Sequence, residues 1–469
     1  MRNFNNYIGL FADHYEFTMA QGYLLDKRED CPACFDYFFR KNPFNSGFTV
    51  FAGLFDLLEM VQQFKFNQES INHLSKNGFH TDFLEYLKSF SFKGNIISVK
   101  EGEIVFSNEP IMRVEGNIIE TQLIETLLLN MINFQSLIAT KGSRLRLSAG
   151  NREIADFGLR RAQGLASIHA SRAAVIGGVN STSNEYGSLA HGLKSTGTQA
   201  HSWIQSYPDE LTAFRKFARS YPQNCILLVD TYNTLTCGVP NAITVAKEME
   251  ERGEKLAGIR LDSGDLAYLS KKARKLLDDA NLGYVKIVAS NQLNEYLIKS
   301  LIDQGAPIDA FGVGTALITG MSDAALDGVY KLSMIDHDPT IKITDNIEKI
   351  SLPGVKKIVR YINGEGSFYA DGILLQGEKS ITKIIHPYHP QKSAEVGELK
   401  SEELMLKVME NGEIAIENKS VMEISEYARH RLSLLPGEHK RFENPHIYKV
   451  GISENLYKLR EQLIEEYKQ

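Results

Sequence analysis

Between about residue 150 and residue 335 the chain alternates short apolar runs with longer amphipathic stretches. The runs include ILLV at 226–229, AGIRL at 257–261, VKIVAS at 285–290 and IDAFGV at 308–313. Each is too short for a helix and rich in branched side chains, which predicts buried strands. Between them lie NAITVAKEMEERGEK, LAYLSKKARKLLDDANLG and LNEYLIKSLIDQG, with apolar residues at helical spacing and a glycine near each close. Such alternation predicts βα units joined into a parallel sheet. Residues that carry polar chemistry gather at the carboxyl ends of such runs, in Phe157-Gly158-Leu159-Arg160-Arg161, Asp230-Thr231-Tyr232-Asn233, Asp262-Ser263-Gly264-Asp265, Ser290-Asn291 and Gly312-Val313-Gly314-Thr315. An open doubly wound sheet gathers such residues near one switch point, whereas a (β/α) barrel brings all its strand ends to one mouth. Polar chemistry after strand upon strand favours the barrel.

The flanks carry a different pattern. CFDYFFR, the alternating EGEIVFSNEPIMRVEG and the helical-period FAGLFDLLEMVQQF predict a mixed α+β domain in the first 120 or so residues. Towards the other end come hairpin-like stretches, IKI around Lys342 and VRY…ADGILL from Val359, and then a charged helix from Glu454. The expected division is an N-terminal α+β domain over 1–125, an α/β barrel with the active site over 126–340, and a segment over 341–469 that partly completes the first domain. The fold class is thus α/β, an irregular (β/α) barrel plus an α+β open-faced sandwich.

Composition narrows the function. With 469 residues and a formal charge of -6, the chain has no sustained basic run, which argues against nucleic acid as a partner. No run approaches the uncharged length that spans a bilayer, and the opening MRNFNNYIGLFADHYEF lacks a secretory apolar region. A cytoplasmic enzyme of small molecules is the expectation. Cys31 and Cys34 form a lone CxxC, and with Cys225 and Cys237 they are expected to be structural thiols.

Several constellations at the strand ends suit a phosphorylated sugar and a planar ring. Glycines at 312 and 314 let backbone N–H groups approach a phosphate, or simply make a tight turn. Asp262 accepts two hydroxyls of a 1,2-diol and Arg260 meets an anion bidentately; alternatively Asp262 or Ser263 caps the next helix and pairs with Arg260. Asp230 has the same duality. Phe157 with Arg160 and Arg161 suits stacking of a heterocycle beside a phosphate, or is a core ring with solvated arginines. Asp13-His14-Tyr15-Glu16 offers a second ring or an ordinary helix start. In GTQAHSW, Gly197–Trp203, His201 has no second metal ligand three or four residues away.

DHYEFTMAQGY, FDYFFRKNPF, FGLRRAQG, GTQAHSW, VDTYNT, GIRLDSGDL, FGVGTALIT and LPGEHKRFENPHIY occur in this order over nearly the whole chain. The set resembles the nicotinate phosphoribosyltransferases of NAD salvage, within the type II phosphoribosyltransferases. The resemblance implies a homodimer whose active sites are built partly from the neighbouring subunit. It also implies an ATP-dependent reaction, classed as a ligase, that joins nicotinate to 5-phosphoribosyl 1-diphosphate with Mg²⁺ and releases diphosphate. By the same likeness His201 takes the γ-phosphoryl group of ATP; were it elsewhere, His191 would be the next candidate. Tyr15 and Phe157 would sandwich the pyridine, Thr198 and Arg260 contact nicotinate, and Asp262 hold the ribose hydroxyls. Gly314 and Thr315 would bind the 5-phosphate, Arg160 the phosphoribosyl diphosphate, and Asp230 lie at the metal or diphosphate; the metal ligands are otherwise unassigned. The rivals are a nicotinamide phosphoribosyltransferase, whose motif wording fits less well, and a non-catalytic sensor. A phosphate-binding barrel lyase or aldolase would need a Schiff-base lysine or a metal-ligand cluster at these strand ends, and neither is there.

Overall fold

The computed structural model describes residues 4–467. Two compact units divide the chain: one of Met1–Leu137, Ala325–Lys419 and Glu426–Gln469, the other of Ile138–Ala324 with Ser420–Ser425. Among the described residues no helix is long and apolar enough to cross a membrane.

In the second unit the six strands are β1 (Glu153–Asp156), β2 (Ser181–Thr182), β3 (Ile226–Leu228), β4 (Gly258–Leu261), β5 (Lys286–Ala289) and β6 (Ala310–Val313). All neighbours are parallel, in the order β2-β1-β6-β5-β4-β3. Because β6 lies beside β1, the order is that of a barrel interrupted between β2 and β3. The chain from β2 to β3 runs through the helices Glu185–His191, His201–Gln205 and Glu210–Ser220 instead of a single crossover, and Thr182 bridges onward to Ser195. The four apolar runs read from the sequence are β3 to β6. Leu227, Ile259, Leu261, Ile287, Ala289, Phe311 and Val313 are fully buried, as central parallel strands covered by helices require. Helix Leu266–Asp279 buries Leu266, Ala267, Ser270, Ala273 and Leu277, one helical face. Its N-cap is Asp265, whose carboxylate accepts from Tyr268 N, so neither Asp262 nor Ser263 serves as the cap.

The first unit holds two larger sheets. One is seven-stranded and antiparallel, in the order Asp338–Pro339, Gly328–Ile335, Pro32–Phe39, Met112–Asn117, Asn95–Val99, Met405–Glu410, Glu413–Ile414. The stretch EGEIVFSNEPIMRVEG splits into Ile104–Val105 and Met112–Asn117, with Asn108 at φ 67° and Pro110, which has no N–H to donate, between them. The other sheet has six strands and includes an antiparallel hairpin of Lys356–Ile362 with Phe368–Leu375, and the helix Glu454–Glu466 closes the chain. IKI around Lys342 forms no strand: the Lys342 amide donates to the Ser351 hydroxyl (2.9 Å) rather than to a ladder.

Candidate active site

Parallel strands place residues after their last ladder pair side by side. Val288 pairs with Arg260 and Ala289 with Leu261, so Ser290 emerges next to Asp262. Arg260 is thereby held on every side. Its Nε donates to Ser290 Oγ (2.8 Å), Nη1 to Thr198 Oγ1 (3.0 Å) and Nη2 to Asp262 Oδ1 (2.9 Å), while its guanidinium carbon lies 5.2 Å from the centre of the Phe157 ring. Five N–H groups less three engaged leaves one on each terminal nitrogen. The arrangement presents a cation edge beside an aromatic face, which suits a planar ring bearing a carboxylate.

Phe157 owes its position to backbone. Its N–H donates to Val313 O (2.9 Å), and a Cβ at Gly312 would lie 2.4 Å from its Cε2, so only glycine lets the ring pack there. One residue earlier the fully buried Asp156 accepts from Gly158 N (2.8 Å), Ser171 Oγ (2.9 Å) and Thr182 Oγ1 (2.7 Å). Burial raises its pKa against the lowering effect of those donors. This network pins the start of the FGLRR turn to β2 and to helix Ala166–Ile176. Arg160, in the turn Leu159–Arg161, is exposed.

His201 opens the short helix His201–Gln205. Its Nδ1 is 3.0 Å from the Thr231 hydroxyl and its Nε2 3.8 Å from Asp262 Oδ2, with the side chain part-exposed. Trp203, its neighbour in GTQAHSW, is structural: the indole N–H donates to Ala213 O (3.2 Å) and the ring packs on Tyr207 and Phe217. Asp230 is buried and anchors the strand ends, its Oδ2 accepting from Asp262 N (2.8 Å) and Ser263 Oγ (2.6 Å). Its Oδ1 has no hydrogen-bond partner within the protein. Among the described residues no group of three or more His, Cys, Asp or Glu would hold a metal ion. One carboxylate with an orphaned oxygen nevertheless fits Mg²⁺, which is commonly held by one or two carboxylates together with substrate phosphates.

Gly314 and Thr315 stand at the end of β6, Thr315 exposed and opening the single turn Thr315–Ile318. Of the residues read from the sequence, those bonded or ring-packed to one another are Phe157, Thr198, His201, Asp230, Arg260 and Asp262, all in the second unit. Tyr15 belongs to the first unit. It lies on helix His14–Leu25, half exposed, and burial together with the nearby Glu125 pushes its hydroxyl pKa up. Ser290, Thr231 and Asp156 escaped the sequence reading as site residues. So did a cavity of about 1120 Å³ within the first unit, whose lining includes Arg40, Lys331, Lys349, Lys392 and Lys449. Cys34 and Cys225 are buried thiols with pKa pushed up to about 12, inert as structural cysteines are, and all four cysteines are free.

Comparison with known proteins decides the family. The model of the nicotinate phosphoribosyltransferase (NAPRTase) family matches residues 152–364, and those of its N-terminal and C-terminal domains match 10–133 and 355–460. A nicotinate phosphoribosyltransferase of Bacillus subtilis is 44% identical over 98% of this chain and 96% of its own length. The chain belongs to the nicotinate phosphoribosyltransferase family. Another relative, from Dictyostelium discoideum, is 37% identical over 96% of this chain and 87% of its own. The crystal structure of human nicotinic acid phosphoribosyltransferase superposes with a TM-score of 0.87 at 29% identity, covering 96% of this chain and 99% of that one. The family fold, a mixed α/β architecture containing a half-barrel sheet, is therefore that of this chain.

Proposed function

We propose that this chain makes nicotinate mononucleotide for NAD salvage, from nicotinate and 5-phosphoribosyl 1-diphosphate, with ATP hydrolysis coupled through phosphorylation of His201. The observation that carries the reading is Arg260, held with one N–H left on each terminal nitrogen beside the Phe157 ring. Nicotinate stacks on that ring with its carboxylate on Arg260 and Thr198, and Asp262 accepts the ribose hydroxyls. The pyridine nitrogen gives its lone pair to ribose C1 as the C1–O bond breaks, and that electron pair leaves with diphosphate. No general base is needed, because the nitrogen carries no proton. Holding ring and sugar in line is the chain's main contribution to this step. Asp230, through its unpartnered Oδ1, would hold Mg²⁺, which would supply charge neutralisation to the departing diphosphate. Gly314 and Thr315 take the 5-phosphate and Arg160 the phosphoribosyl diphosphate.

The ring nitrogen of His201 that carries no proton attacks the γ-phosphorus of ATP; a P–N bond forms as the P–O bond to ADP breaks, and water later takes the phosphoryl group as phosphate. The new charge arises beside Asp262 and biases the loop that carries Thr198. The setting proposed is a cytosolic homodimer in which Tyr15 of one subunit completes the site of the other. Purified protein incubated with 5-phosphoribosyl 1-diphosphate, Mg²⁺ and either nicotinate or nicotinamide, with and without ATP, is followed by mass analysis. Nicotinate mononucleotide, stimulated by ATP, is expected. A product from nicotinamide alone, or none from either base, overturns the reading.

A further inference from the structure

Ser290 stands in the sequence as one polar residue at a strand end with no role assigned to it, by the residues or by the family likeness, yet it closes a triangle with Arg260 and Asp262. It is almost fully buried, at 2% exposure, directly after β5, and its N–H donates to Leu261 O (2.9 Å), so its backbone is fixed against the end of β4. Its hydroxyl accepts from Arg260 Nε (2.8 Å) and donates to Asp262 Oδ1, which in turn accepts from Arg260 Nη2 (2.9 Å).

Arg260 near the end of β4 and Asp262, the first residue past it, lie close enough for a two-bonded fork, with Nε and Nη2 each on one oxygen. Here that fork does not form. Ser290 takes the Nε hydrogen, and Asp262 is left with a single Arg260 bond, so its Oδ2 remains turned toward His201. The guanidinium plane is pinned at Nε by Ser290 and at Nη1 by Thr198, the two points that determine where the remaining N–H groups project.

We propose that Ser290 is a positioning residue that sets the preference for an aromatic carboxylate over its amide, by holding Arg260 out of a bidentate pair with Asp262. The role rests on the function proposed above. Without the hydroxyl, Arg260 rotates about its Cδ–Nε bond onto both oxygens of Asp262, and its charge is spent inside the protein instead of on the substrate.

Ser290→Ala tests this by steady-state kinetics with nicotinate, nicotinamide and 5-phosphoribosyl 1-diphosphate. The KM for nicotinate rises roughly tenfold or more while turnover of nicotinamide changes little, because only a charged partner feels the lost cation edge. The KM for 5-phosphoribosyl 1-diphosphate moves by less than about threefold, a split that general loosening of the strand ends would not give. Ser290→Thr, which keeps the hydroxyl, restores most of the selectivity. Wild-type protein that makes no nicotinate mononucleotide overturns the function and this role together. Active wild type with a folded Ser290→Ala of unchanged selectivity, or equal losses for both bases, overturns the role of Ser290 alone.

Discussion

His201 and Asp262 face each other, the imidazole Nε2 3.8 Å from the carboxylate Oδ2, while Thr231 holds Nδ1. A phosphoryl group on this ring would bring about two negative charges against the carboxylate proposed to hold the sugar, so phosphorylation would shift the loop or the charge balance. His201→Asn keeps a polar side chain but forms no stable phosphoryl adduct. Incubation with γ-labelled ATP should give acid-labile label on wild type and none on the variant. Stimulation by ATP should vanish, while slow uncoupled synthesis persists. Full label on His201→Asn would move the acceptor elsewhere, His191 being the next to test.

Gly312 and Phe157 give a purely steric prediction. A Cβ at 312 meets the ring at 2.4 Å, so Gly312→Ala must displace Phe157 or strain β6. Overpacking of this kind costs roughly 1–3 kcal/mol. The KM for nicotinate should rise about tenfold or more if the ring is the stacking surface, a loss in the range of aromatic contacts. Gly364→Ala, with nothing within 4 Å of the new methyl, is the matched control and should leave both stability and KM unchanged. Equal kinetics for the two variants would show that Phe157 does not carry the base.

The strands of the second unit were legible because each buried run is short, branched and bounded by polar residues. Period alone decided little at Lys342, where IKI reads as a strand but its amide is taken by Ser351. The alternative in which Asp262 or Ser263 caps the next helix falls two or three residues short, since all three side chains are good caps until the turn geometry selects Asp265. Ser290 reads from the sequence as a polar strand end without a role, because that role comes from the β4/β5 register, which no local pattern encodes. The cationic cavity draws on residues from Arg40 to Lys449, so no basic run announces it.

Arg260 anchors Thr198, Ser290, Asp262 and the Phe157 face at once, so its removal has a selective and a general part. Arg260→Ala should weaken nicotinate selection by roughly 2–5 kcal/mol, the cost of removing one partner of a desolvated charged pair. Arg260→Lys should recover little, because an ammonium cannot make the three-way fork. The ratio of kcat/KM for nicotinate and nicotinamide is the measurement, and a ratio unchanged from wild type in Arg260→Ala would remove Arg260 from the substrate contact.

Glu16 ties stability to pH. It is fully buried on the helix that carries Tyr15, and its Oε1 accepts from Thr126 N (3.0 Å) and from the Thr126 hydroxyl. Burial raises its pKa to about 8 from an ordinary 4.5. The folded chain therefore keeps a proton that the unfolded chain has released across that window. This contribution is fully present below about pH 4.5 and is lost progressively as pH rises to about 8, at up to ~1.4 kcal/mol per pH unit. Glu16→Gln keeps the acceptor for Thr126 and cannot ionise. Its thermal midpoint relative to wild type should be higher at pH 8 than at pH 5, and a pH-independent difference would refute the assignment.

Asp230 has one carboxylate oxygen, Oδ2, engaged by the strand ends at Asp262 N and Ser263 Oγ, and the other, Oδ1, buried and unpartnered within the protein. Asp230→Asn can keep the first oxygen in place as the amide carbonyl and put an NH₂ where the orphaned oxygen was. The fold should survive, and the thermal midpoint should hold or rise, because an incompletely satisfied buried anion becomes neutral. If that oxygen serves Mg²⁺ and diphosphate, the Mg²⁺ concentration for half-maximal rate and the KM for 5-phosphoribosyl 1-diphosphate should both rise by roughly tenfold or more. The KM for nicotinate should change by less than about threefold, since Arg260 and Phe157 do not bond to Asp230. Titration of Mg²⁺ at saturating nicotinate reads the effect directly. An unchanged Mg²⁺ dependence, with the midpoint raised, would leave Asp230 as a strand-end clamp alone and require the metal to be held by the substrate's own phosphates.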